Sequence, residues 1–243
     1  MMRLEVKDNI DQVLKQTRRL ARSKVPIAAA KALTFTAERV QAAEVQEMER
    51  VFRKPTRWTL RSIWKQSATT SRLSSKVWIK DEGGKGTPAS KYLPVHIEGG
   101  NRQHKRFEKA LIHYGIMPAD MYAVPGQRAR KDSYGNMSRG QIVQVLSALG
   151  AAERFSGYMA NRTARSAKRR RKLPDYFVGK PGNGAGPLGI WQRVGTGARP
   201  ILIFVKRPTY KRRFDFYGVA KRTADKHFEA LFRRAIAREI ERS

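Results

Sequence analysis

Positive charge is the dominant feature of this sequence. Its 243 residues include 51 Lys and Arg but only 20 Asp and Glu, which gives a formal net charge of +31 at pH 7. A compact body with this surplus repels itself and attracts anions over several Debye lengths at low salt. The imbalance predicts contact with a polyanion, either nucleic acid or an acidic partner surface.

The apolar content predicts a folded chain with a modest core and no membrane contact. Apolar residues make up 40 % of the chain, which is slightly low for a globular protein. The longest apolar runs, such as 201–205, are far shorter than the ~20 residues needed to span a bilayer. Residues 1–5 lack the apolar segment of a signal peptide. The chain has no cysteine, so it forms no disulfide and has no thiol nucleophile.

Apolar residues spaced near 3.6 positions apart predict five helices, three of them near the ends of the chain. The predicted helices run over 8–23, about 26–52, 102–114, 138–149 and about 216–242. Ser23 is the expected N-cap of the second helix, and Pro26 suits its first turn. The final helix is expected to expose its basic residues, which are Arg233, Arg234, Arg238 and Arg242.

Short runs of β-forming residues predict a small sheet. One strand is predicted over 75–80, and a meander is predicted over 175–179, 189–194 and 200–206, where Gly-rich turns separate the runs. The expected fold class is α+β: N-terminal helices, a small antiparallel sheet of about three to four strands, and a long C-terminal helix. We expect one interwoven domain over 1–243. Its parts are the N-terminal helices (8–52), a basic flexible segment (162–172), and the sheet with the C-terminal helix (175–243).

The catalytic inventory predicts a protein that is not an enzyme. The four histidines, His96, His104, His113 and His227, lack the spacing of metal ligands. Pro174-Asp175 resembles the start of a nuclease signature, but no Asp/Glu-x-Lys follows it to complete a metal-binding set. We therefore expect no catalytic, cofactor-binding or metal-binding residues, and no cofactor.

Two basic segments are the candidate nucleic-acid-facing residues. The first contains Arg162, Arg165, Lys168, Arg169, Arg170, Arg171 and Lys172, and the second contains Lys206, Arg207, Lys211, Arg212 and Arg213. Guanidinium groups hold phosphate oxygens well, and neither segment has a groove-reading motif, so contact with the DNA backbone is expected. The aromatics that follow, Phe214, Phe216 and Tyr217, either stack on bases or belong to the core, and the core is favoured.

Acidic residues are concentrated on the predicted helix over 26–52. Glu38, Glu44, Glu47 and Glu49 are the candidate subunit-interface residues. On a chain that is otherwise basic, an acidic face favours head-to-tail contacts between copies, and such contacts can close into a ring. The alternative is an ordinary solvated helix face.

Four groups of residues together resemble the minor tail protein Z-like, or tail-completion, family of tailed bacteriophages. They are 23–33, where Val25-Pro26 precedes an Ala-rich helix; 89–102 with 105–111; 132–142; and 204–210 with 213–220. The stretch over about 80–170 is longer than in the shorter members of the family. The resemblance therefore leaves open the position in the neck or tail.

The resemblance implies a structural role in the virion, at the head–tail joint. The chain would close the tail or join it to the portal-side connector, as a ring of copies around the channel through which viral DNA leaves. Its expected partners are other copies of itself, the connector, a tail-tube or tail-terminator protein, and the DNA backbone. It would pass through the host cytoplasm during assembly. The alternative hypothesis is a free protein that binds and organises nucleic acid non-specifically.

Overall fold

The computed structural model describes residues 10–82, 86–151 and 174–242, with side chains from residue 22 onward. The described chain combines helices with small antiparallel sheets, which confirms the predicted α+β class. It divides into two compact units: unit 1 comprises Met1–Glu98 and Arg212–Ser243, and unit 2 comprises Gly99–Lys211. The single interwoven domain stays a prediction.

The elements follow in chain order. Unit 1 begins with α1 (Ile10–Val51), α2 (Arg57–Leu60), β1 (Ile63–Gln66), β2 (Lys76–Ile79), a 3-10 turn (Ala89–Lys91) and α3 (Pro94–Ile97). Unit 2 contains β3 (Gly100–Asn101), α4 (Arg106–His113), β4 (Met121–Pro125), α5 (Arg139–Ala148), β5 (Tyr176–Gly179), β6 (Gly189–Val194), β7 (Gly197–Lys206) and β8 (Thr209–Tyr210). Unit 1 then ends with α6 (Phe216–Glu241).

The N-terminal region is one helix, so the prediction of two helices separated at Ser23 was wrong. Helix α1 runs unbroken for 42 residues and contains Pro26 in its interior. Proline removes one helical hydrogen bond, here the one to the carbonyl of Arg22, and disfavours the helix locally. The apolar positions Val13, Leu20 and Ile27 keep one seven-residue spacing across this point.

Unit 1 is built on α1 and α6, which pack against each other as an antiparallel pair. Lys31 near one end of the pair contacts Glu239, whereas Glu44, further along α1, lies beside Ala220. Buried alanines on α1, among them Ala28, Ala32 and Ala37, suit close packing. Larger side chains form the core at the other end of α1, around Met48, Ile63, Leu93, Phe214 and Phe216.

Unit 2 is a four-stranded antiparallel sheet in the order β4–β7–β6–β5. The three predicted strands of the meander are confirmed as β5, β6 and β7. Strand β6 lies so close to β7 that a Cβ on Gly189 would be 2.3 Å from the Leu202 carbonyl oxygen, which requires glycine there. Helices α4 and α5 supply Phe107, Leu111 and Leu146 to the core of this unit.

The fourth strand, β4, was not among the predicted strands, because it lies in a stretch over 117–126 that is rich in Pro and Gly. Met121–Pro125 instead pairs with the second half of β7, from Met121 opposite Lys206 to Pro125 opposite Leu202. Proline is tolerated here because it occupies the last position of an edge strand. Tyr122 and Ala123, at the centre of β4, are both buried.

Unit 2 contains a fully buried carboxylate with a complete set of partners. The side chain of Glu108 is 0 % exposed. It accepts hydrogen bonds from Arg102 at 2.6 and 2.5 Å, from the backbone N–H of Lys105 at 2.5 Å and from that of Ala123 at 2.8 Å. Burial alone would raise the pKa of Glu108, but these hydrogen bonds outweigh it and lower the pKa.

Within residues 10–82, 86–151 and 174–242, no helix is both long enough and apolar enough to cross a bilayer.

Candidate nucleic-acid interface

The first predicted basic segment, over 162–172, lies outside the described residues. Its assignment to the DNA backbone therefore stays a prediction.

The second basic segment is exposed, and some of its charges already have partners. In unit 2, Lys206 ends β7, and Arg207 and Lys211 follow it, all three exposed. In unit 1, Arg212 donates to Asp215 at 2.8 Å, and the guanidinium of Arg213 lies 4.9 Å from the centre of the Phe52 ring. The cations of unit 2 are therefore the more open part of this segment.

The aromatics after this segment separate into core and surface. Phe214 and Phe216 are buried in unit 1, as the core hypothesis expected. Tyr217, the next residue, is exposed.

The predicted acidic face of α1 does not form a single surface. Glu38 is exposed and lies 3.1 Å from the Nζ of Lys65, Glu49 is exposed, and Glu47 accepts hydrogen bonds from Arg50. Glu44, by contrast, is fully buried, so its assignment to an exposed interface is corrected. Successive helical residues turn by about 100°, so Glu44, six residues after Glu38, lies about 120° from it around α1.

Glu44 is a buried carboxylate, and its one backbone neighbour that can donate, the N–H of Ala220, falls short of a well-formed hydrogen bond. The pKa of Glu44 is raised from 4.5 to about 8. Burial is the largest cause, and the nearby carboxylates Glu47 and Asp215 also contribute. The N–H of Ala220 and the charge of Arg222 offset only part of this increase. At neutral pH the group is therefore largely protonated inside the folded unit.

Unit 1 also contains a groove that the sequence did not reveal. We call it the arginine groove: Arg39 of α1 lines one wall, and Arg234 and Arg238 of α6, with Arg242 just after it, line the other. The groove has a volume of about 560 Å³, and the half-exposed ring of Phe35 lies within it. The exposure of Arg234, Arg238 and Arg242 was expected, but their meeting with Arg39 depends on how the two helices pack.

The two carboxylates that line the arginine groove are already engaged. Glu239 accepts a hydrogen bond from Lys31 across the helix pair, and Glu38 pairs with Lys65. The pKa of Glu239 is lowered, first by its hydrogen bond from Lys31 and further by the charges of Lys31, Arg242 and Lys24. The four arginines have no ion-pair partner among the described residues, so the groove has an excess of positive charge.

A second feature that the sequence did not reveal is a pair of exposed tryptophans on the β1–β2 hairpin. Trp64 and Trp78 lie opposite each other across the two strands, with ring centres 6.4 Å apart. They are 44 % and 37 % exposed, because alternation along β1 turns Ile63 inward and Trp64 outward. The Nζ of Lys80 lies 4.1 Å from the centre of the Trp64 ring. The pair stabilises the hairpin and leaves apolar surface beside a cation.

The histidines lie in separate environments. Burial, followed by the charge of Arg213, lowers the pKa of His96 in unit 1 to about 4. His104 in unit 2 stacks on Tyr122 with ring centres 4.1 Å apart. In the part of the chain that the structure describes, no group of three or more His, Asp or Glu residues is placed to hold a metal ion. The absence of enzymatic activity stays a prediction.

Comparison of the chain with family models, with curated proteins and with solved structures gives no match. The resemblance to the tail-completion family therefore rests on the sequence stretches alone.

Proposed function

We propose that this chain is a non-enzymatic structural protein of a tailed-phage particle, a neck or tail-completion component at the head–tail joint. Copies of the chain would form a ring beside the DNA channel. They would contact the portal-side connector and a tail-tube or tail-terminator protein.

The observation that carries the proposal is the display of positive charge that the fold itself does not neutralise. In unit 1 the four arginines of the arginine groove are exposed and have no ion-pair partner among the described residues. In unit 2, Lys206, Arg207 and Lys211 are exposed beyond the end of the sheet. Open cations add self-repulsion to a chain of net charge +31, and a neighbouring polyanion offsets that repulsion.

The particle setting comes from the resemblance of the four sequence stretches, and one surface supports contacts between copies. Glu38 and Glu49 are exposed on α1 in a chain with few acids. They are 11 residues apart, which is close to three helical turns, so they lie on nearly the same side of α1. Opposite charges on one protein favour head-to-tail contacts, which close into a ring when the rotation permits.

Deletion of the gene from the phage or prophage that carries it tests this proposal. We expect filled heads and finished tails that fail to join, as seen by electron microscopy of the lysate. Purified full-length chain added to that lysate should restore joined particles and should then be present in them at a fixed number of copies per particle.

Two results would count against the proposal. Normal particles after deletion would exclude a role at the joint. A chain that binds DNA in solution but is absent from wild-type particles would instead support the alternative, a free protein that organises nucleic acid.

A further inference from the structure

The cations on α6 differ in whether an acidic side chain forms an ion pair with them. On one part of its surface, Lys221 pairs with Asp225 at 2.7 Å and Arg233 with Glu229 at 2.5 Å. Arg222 pairs with Asp215 at 3.0 Å. The groove arginines Arg234 and Arg238 have no such acid among the described residues. Lys226 is a third exposed cation of α6 with no ion pair among the described residues, so two of these three charges lie in the arginine groove.

The spacing of these arginines forms a row. Arg234, Arg238 and Arg242 are four residues apart, so they project from one side of the helix with a rise of about 6 Å per step. Like charges at this spacing destabilise a helix slightly. The row ends in the last turn of α6, where Arg238 and Arg242 interact favourably with the helix dipole. An extended anion lying along the row would contact each guanidinium in turn.

The second wall of the groove adds a cation and an aromatic ring. Arg39 on α1 is exposed toward the same groove, and Phe35 on α1 is 48 % exposed there. One guanidinium group can donate two parallel hydrogen bonds to the oxygens of a phosphate. An exposed aromatic ring offers a surface on which a sugar or a base can stack. The groove thus combines features that suit a phosphodiester strand.

We infer that the arginine groove binds the phosphate backbone of nucleic acid, without reading its sequence. This inference rests on the proposed function, which places DNA beside the chain, and it assigns the contact to named residues of unit 1. An acidic polypeptide is the rival occupant. The net charge of +31 belongs to the whole chain, so positive charge covers much more of the protein than a groove of about 560 Å³. Such a distribution favours a long polyanion such as nucleic acid.

A matched pair of double variants tests the inference. Arg234→Gln with Arg238→Gln removes two groove charges, whereas Lys221→Gln with Arg233→Gln removes two charges from the same helix that already have acidic partners. The probe is a short fluorescent DNA duplex, and its binding to each full-length protein is followed by anisotropy over a range of salt concentrations. Circular dichroism checks that each variant is folded.

We expect the groove variant to lose about tenfold or more in affinity at low salt, and the slope of log K against log salt to become shallower by about 2. The control variant should lose less than about threefold. Equal losses in both variants would overturn the inference, because binding would then reflect only the total charge. If the groove double variant does not fold, Arg39→Gln against Arg50→Gln, whose partner is Glu47, makes the same comparison on α1.

Poly-glutamate serves as the second probe. If it binds as tightly as DNA and depends equally on Arg234 and Arg238, the assignment to nucleic acid is overturned in favour of an acidic partner. The joining assay separates this inference from the proposed function. A groove variant that binds DNA normally but restores no particles leaves the particle role standing and removes the groove contact with DNA. A wild-type chain that binds DNA through the groove but never enters particles does the reverse.

Discussion

Two buried glutamates, one in each unit, differ in the polar partners that surround them. Glu108 in unit 2 and Glu44 in unit 1 are both 0 % exposed. Glu108 is held by Arg102 and by two backbone N–H groups, and its pKa is lowered. Glu44 has no well-formed hydrogen bond among the described residues, and burial raises its pKa to about 8.

The comparison shows that burial alone does not determine whether a carboxylate is charged, because its hydrogen-bond and charge partners also shift its pKa. In unit 2, Arg102 and the two backbone N–H groups satisfy the charge of Glu108. Unit 1 contains the orphan carboxylate, the open arginines and the exposed tryptophans Trp64 and Trp78. Of these groups, only the arginines of the arginine groove are assigned to contact with a partner, whereas Glu44 is buried inside the unit.

The largest expected effect comes from Glu108→Gln. The substitution removes the charge that balances Arg102, whose side chain is itself largely buried. Breaking a buried pair on one side costs about 3–5 kcal/mol. We expect a loss of stability of that order at pH 7, measured by urea denaturation of the full chain.

Acid should have the same effect on wild type. The pKa of Glu108 is lower in the folded state than in the unfolded state, so its contribution is present above the unfolded value of 4.5 and is lost as the pH falls through the folded value. A Glu108→Gln variant as stable as wild type at pH 7 would show that the partners contribute little.

The same substitution at Glu44 should act in the opposite direction. Because the folded pKa of about 8 lies above 4.5, the folded state holds more protons between these values, and wild-type stability falls as the pH rises through this window. Glu44→Gln removes the ionisation. We expect the variant to be more stable than wild type at pH 8 by roughly 2–4 kcal/mol and nearly equal to it at pH 4.

Denaturation curves at several pH values measure this difference. A wild type whose stability is flat from pH 5 to pH 8, relative to Glu44→Gln, would contradict the assigned environment. Glu44→Lys should be strongly destabilising, because it places an uncompensated charge in the core.

The smallest effect on stability is expected at the exposed acids of α1. Glu38→Lys with Glu49→Lys should change the free energy of unfolding by less than about 1 kcal/mol, because surface ion pairs contribute little. The double variant should nevertheless enter particles less well than wild type in the joining assay. Asp225→Lys, an exposed acid on α6, is the control. Normal entry of the α1 variant would show that this face is merely solvated.

Local patterns were enough to predict the elements whose signals lie close together in the sequence. Ser138 was expected to begin a helix, and its side chain accepts a hydrogen bond from the Gln141 N–H at the start of α5. The runs over 189–194 and 200–206 alternate with Gly-rich turns, and they pair as β6 and β7. In these cases the residues that specify the structure are neighbours in the chain.

Features that depend on distant packing were not predictable in this way. Glu44 is similar in sequence context to Glu38 and Glu49, and only the packing of α1 against α6 separates the buried carboxylate from the exposed ones. The arginine groove likewise needs Arg39 and Arg238, which are 199 positions apart in the sequence, to face each other. The predicted positions for the polyanion contact were the basic segments over 162–172 and 206–213, neither of which includes the arginine groove.

We propose that this chain binds a polyanion through exposed, unpaired cations that do not read its sequence. The most direct test is the affinity of the full-length wild-type chain for several DNA duplexes of equal length and different sequence, over a range of salt concentrations. The claim predicts a steep, linear fall of log K with log salt, with a slope of about −4 or steeper that is the same for every sequence. An affinity that hardly changes with salt, or no binding at low salt, would contradict it.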